Sequence, residues 1–160
     1  MKIELEKATA MDATAILSMQ RSAFLPLLEK YQDMDTNPAN ETAERILTRI
    51  NSPGSFYYKI LNQGKMVGAI RVKSDKDRRF WISPLFIDPA YQRLGIAGRA
   101  MQLTELLHAE AKTWELATIL QEEANCRFYE KMGYKATGAT ERLNDRATLG
   151  YFRKSAKGVE

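Results

Sequence analysis

Gln92, Gly95, Ala97 and Gly98 stand at close spacing just ahead of a run whose apolar residues recur at helical period. Small or absent side chains at the mouth of a helix leave its first backbone N–H groups open. With the positive end of the helix dipole, those groups suit an anion such as pyrophosphate. The stretch I-D-P-A-Y-Q-R-L-G-I-A-G-R-A-M-Q-L-T (Ile87–Thr104) starts where an apolar strand meets Asp88-Pro89. Proline, having no N–H for a sheet ladder, turns the chain out of the sheet there. The stretch is neither a P-loop, which needs G-x-x-x-x-G-K-[ST], nor a dinucleotide loop, which needs G-x-G-x-x-G. By itself it reads equally as a glycine-containing turn before an ordinary amphipathic helix. A second group, N-C-R-F-Y-E-K-M-G-Y (Asn125–Tyr134), puts Tyr129 one helical turn after Asn125 on the same face. Tyr129 is either a core aromatic beside Phe128 or a donor of a phenolic proton.

Other chemistries have fewer residues to draw on. His108 is the only histidine and Cys126 the only cysteine. A histidine-based zinc site or a Ser-His-Asp triad would rest on His108 alone, which its helical neighbours place on a polar flank at the surface. No metal is expected. Cys126 has no second cysteine for a disulfide, redox or zinc pair and no base in sequence reach, so a small buried thiol is expected over a covalent nucleophile.

The elements that must position these groups form one domain over residues 1–154, followed by a short tail, 155–160. A chain of 160 residues, 44% apolar and 28% charged, has the size and composition of a single globular domain. Residues 2 to 7 alternate as a strand, and a helix with Ile16, Leu17 and Gln20 in one row is expected to stop at Pro26. Leu27 to Asn37 reads as a linker, and Asn37-Pro38 as the cap and first turn of a second helix. Ser55 to Lys73 forms a hairpin around Asn62-Gln63-Gly64-Lys65, and Arg78 to Ile87 adds a strand that Ser83-Pro84 should interrupt with a bulge or an unpaired edge. A third helix runs from about Leu94 to Ala111, with Ala100, Leu103, Leu107 and Trp114 in one row. A short strand, a short helix stopped by Gly133 and a final hairpin across Asn144-Asp145 complete the chain. The order β-α-α-β-β-β-α-β-α-β-β predicts an α/β fold: a mixed, mostly antiparallel sheet of six to seven strands with helices on both faces.

The net charge of +4 is modest and its lysines and arginines are dispersed, so no nucleic-acid face is expected. No apolar run approaches the roughly 20 residues that span a bilayer, and Met1-Lys2 leads directly into an alternating strand. A cytoplasmic protein without membrane partners is expected.

The two motifs together resemble the GNAT superfamily of acyl-CoA N-acetyltransferases. Gln92-Arg93-Leu94-Gly95-Ile96-Ala97 matches its Q/R-x-x-G-x-G/A signature, and Phe128-Tyr129-Glu130-Lys131-Met132-Gly133-Tyr134 is similar to its F-Y-E-K-x-G-F/Y segment. With the order of elements, the likeness covers essentially the whole chain. It implies an acetyl-CoA-dependent enzyme in which the fourth and fifth strands part at a bulge, here Pro84, and admit the pantetheine arm. It also implies that N–H groups around Phe86 and Ile87 hold that arm and polarise the thioester carbonyl. The N–H groups from Arg93 to Arg99, through Leu94, Gly95, Ile96, Ala97 and Gly98, would take the pyrophosphate beside Gln92, with the guanidinium of Arg93 or Arg99 adding charge. Tyr129 would protonate the departing thiolate, and an amine would attack the thioester directly. Many family members carry an asparagine seven residues before the tyrosine; here Glu122 holds that place and Asn125 lies four before. Asn125 either caps its helix or touches the cofactor arm.

The resemblance points to the linker after the first helix as part of the acceptor site. Glu29, Asp33 and Asp35 lie there and Glu122 lies beside the slot; together they suit a cationic amine, on a small molecule or a peptide, though each also reads as a solvated acid. Trp81 or Ser83 borders the same pocket, Trp81 reading otherwise as sheet packing. Homodimers are common in the family. A non-catalytic acyl-CoA-binding or regulatory module of the same fold is the alternative, and retention of Tyr129 favours the enzyme.

Overall fold

The computed structural model describes residues 1–156. Its strands are β1 (Ile3–Lys7), β2 (Ser55–Asn62), β3 (Lys65–Ser74), β4 (Arg79–Ile87), β5 (Thr113–Ile119), β6 (Lys135–Arg142) and β7 (Thr148–Ser155). The helices are α1 (Ala13–Tyr31), α2 (Ala43–Asn51), α3 (Ile96–Leu107) and α4 (Glu123–Lys131). One seven-stranded sheet in the order β1-β2-β3-β4-β5-β7-β6 is antiparallel throughout except between β4 and β5. Ser155 still pairs with Thr113, and the rest of the expected tail from residue 157 lies outside the described residues.

Each face of the sheet carries its own core. Ile96, Ala100 and Met101 of α3 pack with Val72, Phe80, Trp114 and Phe152 on one side. Ile16 and Leu17 of α1 and Ile46 of α2 pack with Tyr57, Ala69 and Phe86 on the other. The β2–β3 hairpin turns at Gln63 (φ 51°) and Gly64 (φ 85°), the two left-handed residues that a turn matching strand twist requires.

The structure corrects several expectations drawn from local pattern. Pro26 does not end the first helix, which continues to Tyr31 and stops at left-handed Gln32, whose N–H donates to Leu28 O at 2.8 Å. A proline removes one helical hydrogen bond, and the contacts made by the following turn outweigh that loss. Glu29 is therefore helical and exposed rather than part of a linker. Asn37 caps only a 3-10 turn, Pro38–Asn40, while α2 begins later behind Thr42, whose Oγ1 accepts from Arg45 N. Helix α3 ends at Leu107, which is exposed, and Trp114 belongs to β5.

His108 is buried rather than on the surface, at 5% exposure. Its Nε2 lies 2.8 Å from Tyr58 Oη, and its ring packs among Phe56, Phe80 and Trp114. The helix had already ended, so helical periodicity no longer governed which way this side chain faced.

The Ser83-Pro84 interruption produces a bulge. Ile70 opposes Leu85 and Val72 opposes Ile82, so Arg71 alone faces two residues of β4. Its guanidinium donates to Ser83 O (3.0 Å) and Ser55 Oγ (2.9 Å), fixing the bulge against β2. Before the bulge β4 pairs with β5 from Arg79–Thr113 to Trp81–Glu115; beyond it the two strands separate.

Candidate active site

A cleft of about 950 Å³ fills the gap between the separated ends of β4 and β5. It runs from the first turn of α3, past α4, to the residues that follow α1.

At the α3 end the turn passes through left-handed Arg93 (φ 65°) and Gly95 (φ 81°). An alanine Cβ at Gly95 would meet nothing within 4 Å, so glycine serves the backbone angle there rather than making room. The first intrahelical bond is donated by Arg99 N to Gly95 O (3.2 Å). The amides of Ile96, Ala97 and Gly98 precede that bond, and no acidic residue occupies the first turn. Gln92 donates from Nε2 to Ile87 O at 2.9 Å, bracing the turn against the end of β4.

Along β4 the parity of the strand decides which amides face the gap. Asp88 N donates to Val67 O (2.7 Å), and Phe86 O lies against Gly68, so residues 86 and 88 point their backbone groups toward β3. Alternation then aims the N–H groups of Leu85 and Ile87 into the cleft. Phe86 reaches the cleft wall through its ring, which meets Phe24 edge-on at 6.0 Å. Of the amides expected around Phe86 and Ile87, that of Phe86 turns to β3.

Helix α4 supplies the opposite wall. Tyr129 lines the cleft with Asn125, and its ring packs edge-on to Phe128 (5.1 Å) and Tyr134 (6.3 Å). Burial, assisted by the Cys126 thiol, pushes Tyr129 up to about 12, so it keeps its proton at neutral pH. Asn125 is the third residue of α4, and the cap position belongs to Glu122, which makes no side-chain cap bond. Burial also raises the Cys126 thiol, whose Sγ sits 3.9 Å from the carbonyls of Ile119 and Leu120.

Asp33, Ser83 and Glu122 line the other end. Asp33 is 8% exposed and accepts from Thr36 N (3.2 Å) and Thr36 Oγ1. The Glu122 carboxylate is taken up by Lys30 Nζ (2.8 Å) and Tyr31 Oη, and those bonds hold it below the usual carboxylate range. Leu94, Arg99, Glu29 and Trp81 stand apart from the cleft. Leu94 points outward, Arg99 reaches toward Gln102, Glu29 lies on the outer side of α1, and Trp81 meets Tyr151 edge-on at 6.2 Å. Thr36, Leu143 and Leu149 complete this end and were not anticipated. They come from three connections and strands that no local pattern links.

Tyr57 and Tyr134 are likewise raised by burial. A tyrosine whose folded pKa exceeds its unfolded value of about 10 supports the fold fully below that pH, and the support is lost as pH rises through the folded value. The Tm should therefore hold up to about pH 10 and fall steeply above it. Phenolate absorbance from Tyr57 and Tyr134, 2% and 1% exposed, should appear together with unfolding; their phenolate titration in the folded protein would contradict that burial.

Among the described residues no three His, Cys, Asp or Glu side chains gather closely enough to hold a metal ion, and no helix is long and apolar enough to cross a membrane.

A family model described as "Acetyltransferase (GNAT) family" matches residues 21–134. An uncharacterized protein of Bacillus subtilis, YrkN, is 27% identical over 137 residues, 83% of this chain and 73% of its own. Among solved structures, the ribosomal-protein-S18-alanine N-acetyltransferase of Escherichia coli is similar with a TM-score of 0.79 at 14% identity, over 99% of this chain and 97% of that one. The PaiA N-acetyltransferase of Thermoplasma acidophilum, in complex with coenzyme A, gives 0.75 at 16% identity over 97% and 99%. The spermidine N-acetyltransferase of Vibrio cholerae, in complex with CoA and spermine, gives 0.77 at 14% identity over 96% and 95%. At these identities the structural likenesses show a shared fold.

Proposed function

We propose, since this chain belongs to the GNAT family of acetyltransferases, that it moves an acetyl group from acetyl-CoA to a primary amine of a small molecule or peptide by direct attack in a ternary complex. Membership makes it an acyltransferase. The observation that carries the rest is the separation of β4 from β5 beyond Trp81.

The residues present fit acetyl-CoA. The gap lies along strand amides of Leu85 and Ile87 that lack a neighbouring strand, and it opens onto helix-mouth amides free of acidic neighbours. Bound there, acetyl-CoA supplies an activated acetyl thioester. Leu85 and Ile87 hold its pantetheine arm and stabilise negative charge on the thioester oxygen as the amine attacks. Ile96, Ala97 and Gly98 take the pyrophosphate, with the Arg93 guanidinium beside them. As the C–N bond forms and the C–S bond breaks, Tyr129 gives its proton to the departing sulfur, while the amine's surplus proton leaves to solvent. A cytoplasmic site of action agrees with the single unpaired thiol.

Asp33 is the carboxylate we assign to the acceptor. Its burial on the cleft wall suits a cationic substrate, and a hydrogen bond between charged partners is worth about 1.5–3 kcal/mol. Asp33→Asn should thus raise KM for the amine by roughly 10- to 100-fold and leave acetyl-CoA affinity unchanged. The test is titration with acetyl-CoA followed by thiol release against a panel of amines. Tight acetyl-CoA binding with no turnover on any amine would make the chain a binding module; no binding would remove the reading altogether.

A further inference from the structure

Resting on that reading, we propose that Arg71 is a positioning residue for the transfer step: its guanidinium pins the extra residue of β4 at Ser83-Pro84, and the register so fixed aims the Leu85 N–H at the thioester. Two residues of β4 face Arg71 alone, and one of them, Pro84, has no N–H to return to β3. The backbone ladder is therefore interrupted at this point. The side chain bridges the interruption, since Nη1 donates to Ser83 O (3.0 Å) while Nε donates to Ser55 Oγ (2.9 Å) on β2. The bulge is thus tied across β3 to a third strand.

Register is what the tie protects. Ile70 opposes Leu85 and Gly68 opposes Ile87. A slip of β4 by one residue would exchange the groups that face β3 with those that face the cleft. The amides of Leu85 and Ile87 would turn to β3, and the gap would lose the donors assigned to the thioester oxygen. Ser83, Pro84 and Leu85 all line the cleft, so the tie ends on the wall it has to hold.

The choice of arginine fits this role. Burial, followed by the charge of Arg49, holds Arg71 below the usual arginine range, and Glu41 of the same network is taken up by Arg49 Nη1 (2.6 Å) and Gln20 Nε2 (2.8 Å). Both acceptors of Arg71 are neutral oxygens. A cation kept in such surroundings serves through its planar fork, two donors at a fixed angle, which a single ammonium does not reproduce.

The thioester itself reports on the pin, and no acceptor is needed to read it. With acetyl-CoA isotope-labelled at the acetyl carbonyl and bound to wild-type protein, infrared difference spectra should place the carbonyl stretch below its position in solution, as hydrogen bonding from the cleft amides requires. Arg71→Lys and Arg71→Ala should lose that shift, and kcat with an amine found in the panel should fall by about 100-fold, the cost of a misplacement on the order of 1 Å. Affinity for CoA, gripped at the mouth of α3, should not move. Added ethylguanidinium should restore both the shift and kcat to Arg71→Ala. Should these variants fail to fold, Ser55→Ala cuts the far end of the tie outside the cleft, and it should move shift and kcat in the same direction by a smaller factor. A merely structural arginine would cost stability and leave the shift and kcat alone; that result, or an Arg71→Lys protein equal to wild type, would overturn the pin and leave the transferase reading intact. Bound acetyl-CoA with no shift in wild type would remove the amide assignment and the pin with it. Failure of acetyl-CoA to bind would overturn the transferase reading itself.

Discussion

Replacing Tyr129 with phenylalanine should lower kcat by roughly 100- to 10,000-fold, the range that a positioned general acid contributes. The fold and acetyl-CoA affinity should hold. The ring keeps its edge-on contacts with Phe128 and Tyr134, and only the hydroxyl on the cleft wall is lost. A structural tyrosine would show the reverse pattern, with lost stability and modest kinetic change. The pH profile separates the roles further. With Tyr129 pushed up to about 12, its proton remains available throughout the neutral and mildly alkaline range, so it adds no falling limb to kcat there. Steady-state kinetics of the two proteins beside their denaturant unfolding curves decide the matter: equal turnover would exclude Tyr129 from proton transfer.

What could be read from the sequence were features governed by local backbone rules. The Gly95 turn, the Gly133 stop and the bulge at Pro84 each follow from what a glycine or a proline does to its own backbone, and all three are present. The order of strands and helices came through for the same reason, since alternation and helical period are short-range signals. Pro26 misled because its rule is also local, whereas the turn beyond it is held by Glu122, Asn144 and Arg146, roughly a hundred residues away along the chain. Glu122 suggested a substrate contact by its place in the motif, yet its carboxylate meets Lys30 and Tyr31. The expectation named N–H groups around Phe86 and Ile87; motif position gives the strand, and only the register with β3 gives the direction of each amide.

That register makes Gly68 the second position at which a small change should act strongly. A Cβ built there would lie 2.3 Å from Phe86 O and 3.2 Å from Ile87 Cα, both backbone atoms that no rotamer change can move aside. Gly68→Ala should push β4 toward the cleft, costing about 1–3 kcal/mol of stability as an overpacked core does. The displaced segment carries Leu85 and Ile87, and a misplacement on the order of 1 Å at reacting groups costs about 100-fold in rate. We expect kcat/KM to fall by about that factor in protein that remains folded. Gly64→Ala provides the contrast. It also sits in the β2–β3 hairpin, at φ 85°, but its Cβ would meet nothing within 4 Å. It should lose about 1–2 kcal/mol from the left-handed backbone alone and keep its activity. If Gly68→Ala instead matched Gly64→Ala in both measurements, β4 would not be seated on Gly68, and the amides assigned to the thioester would not owe their position to it.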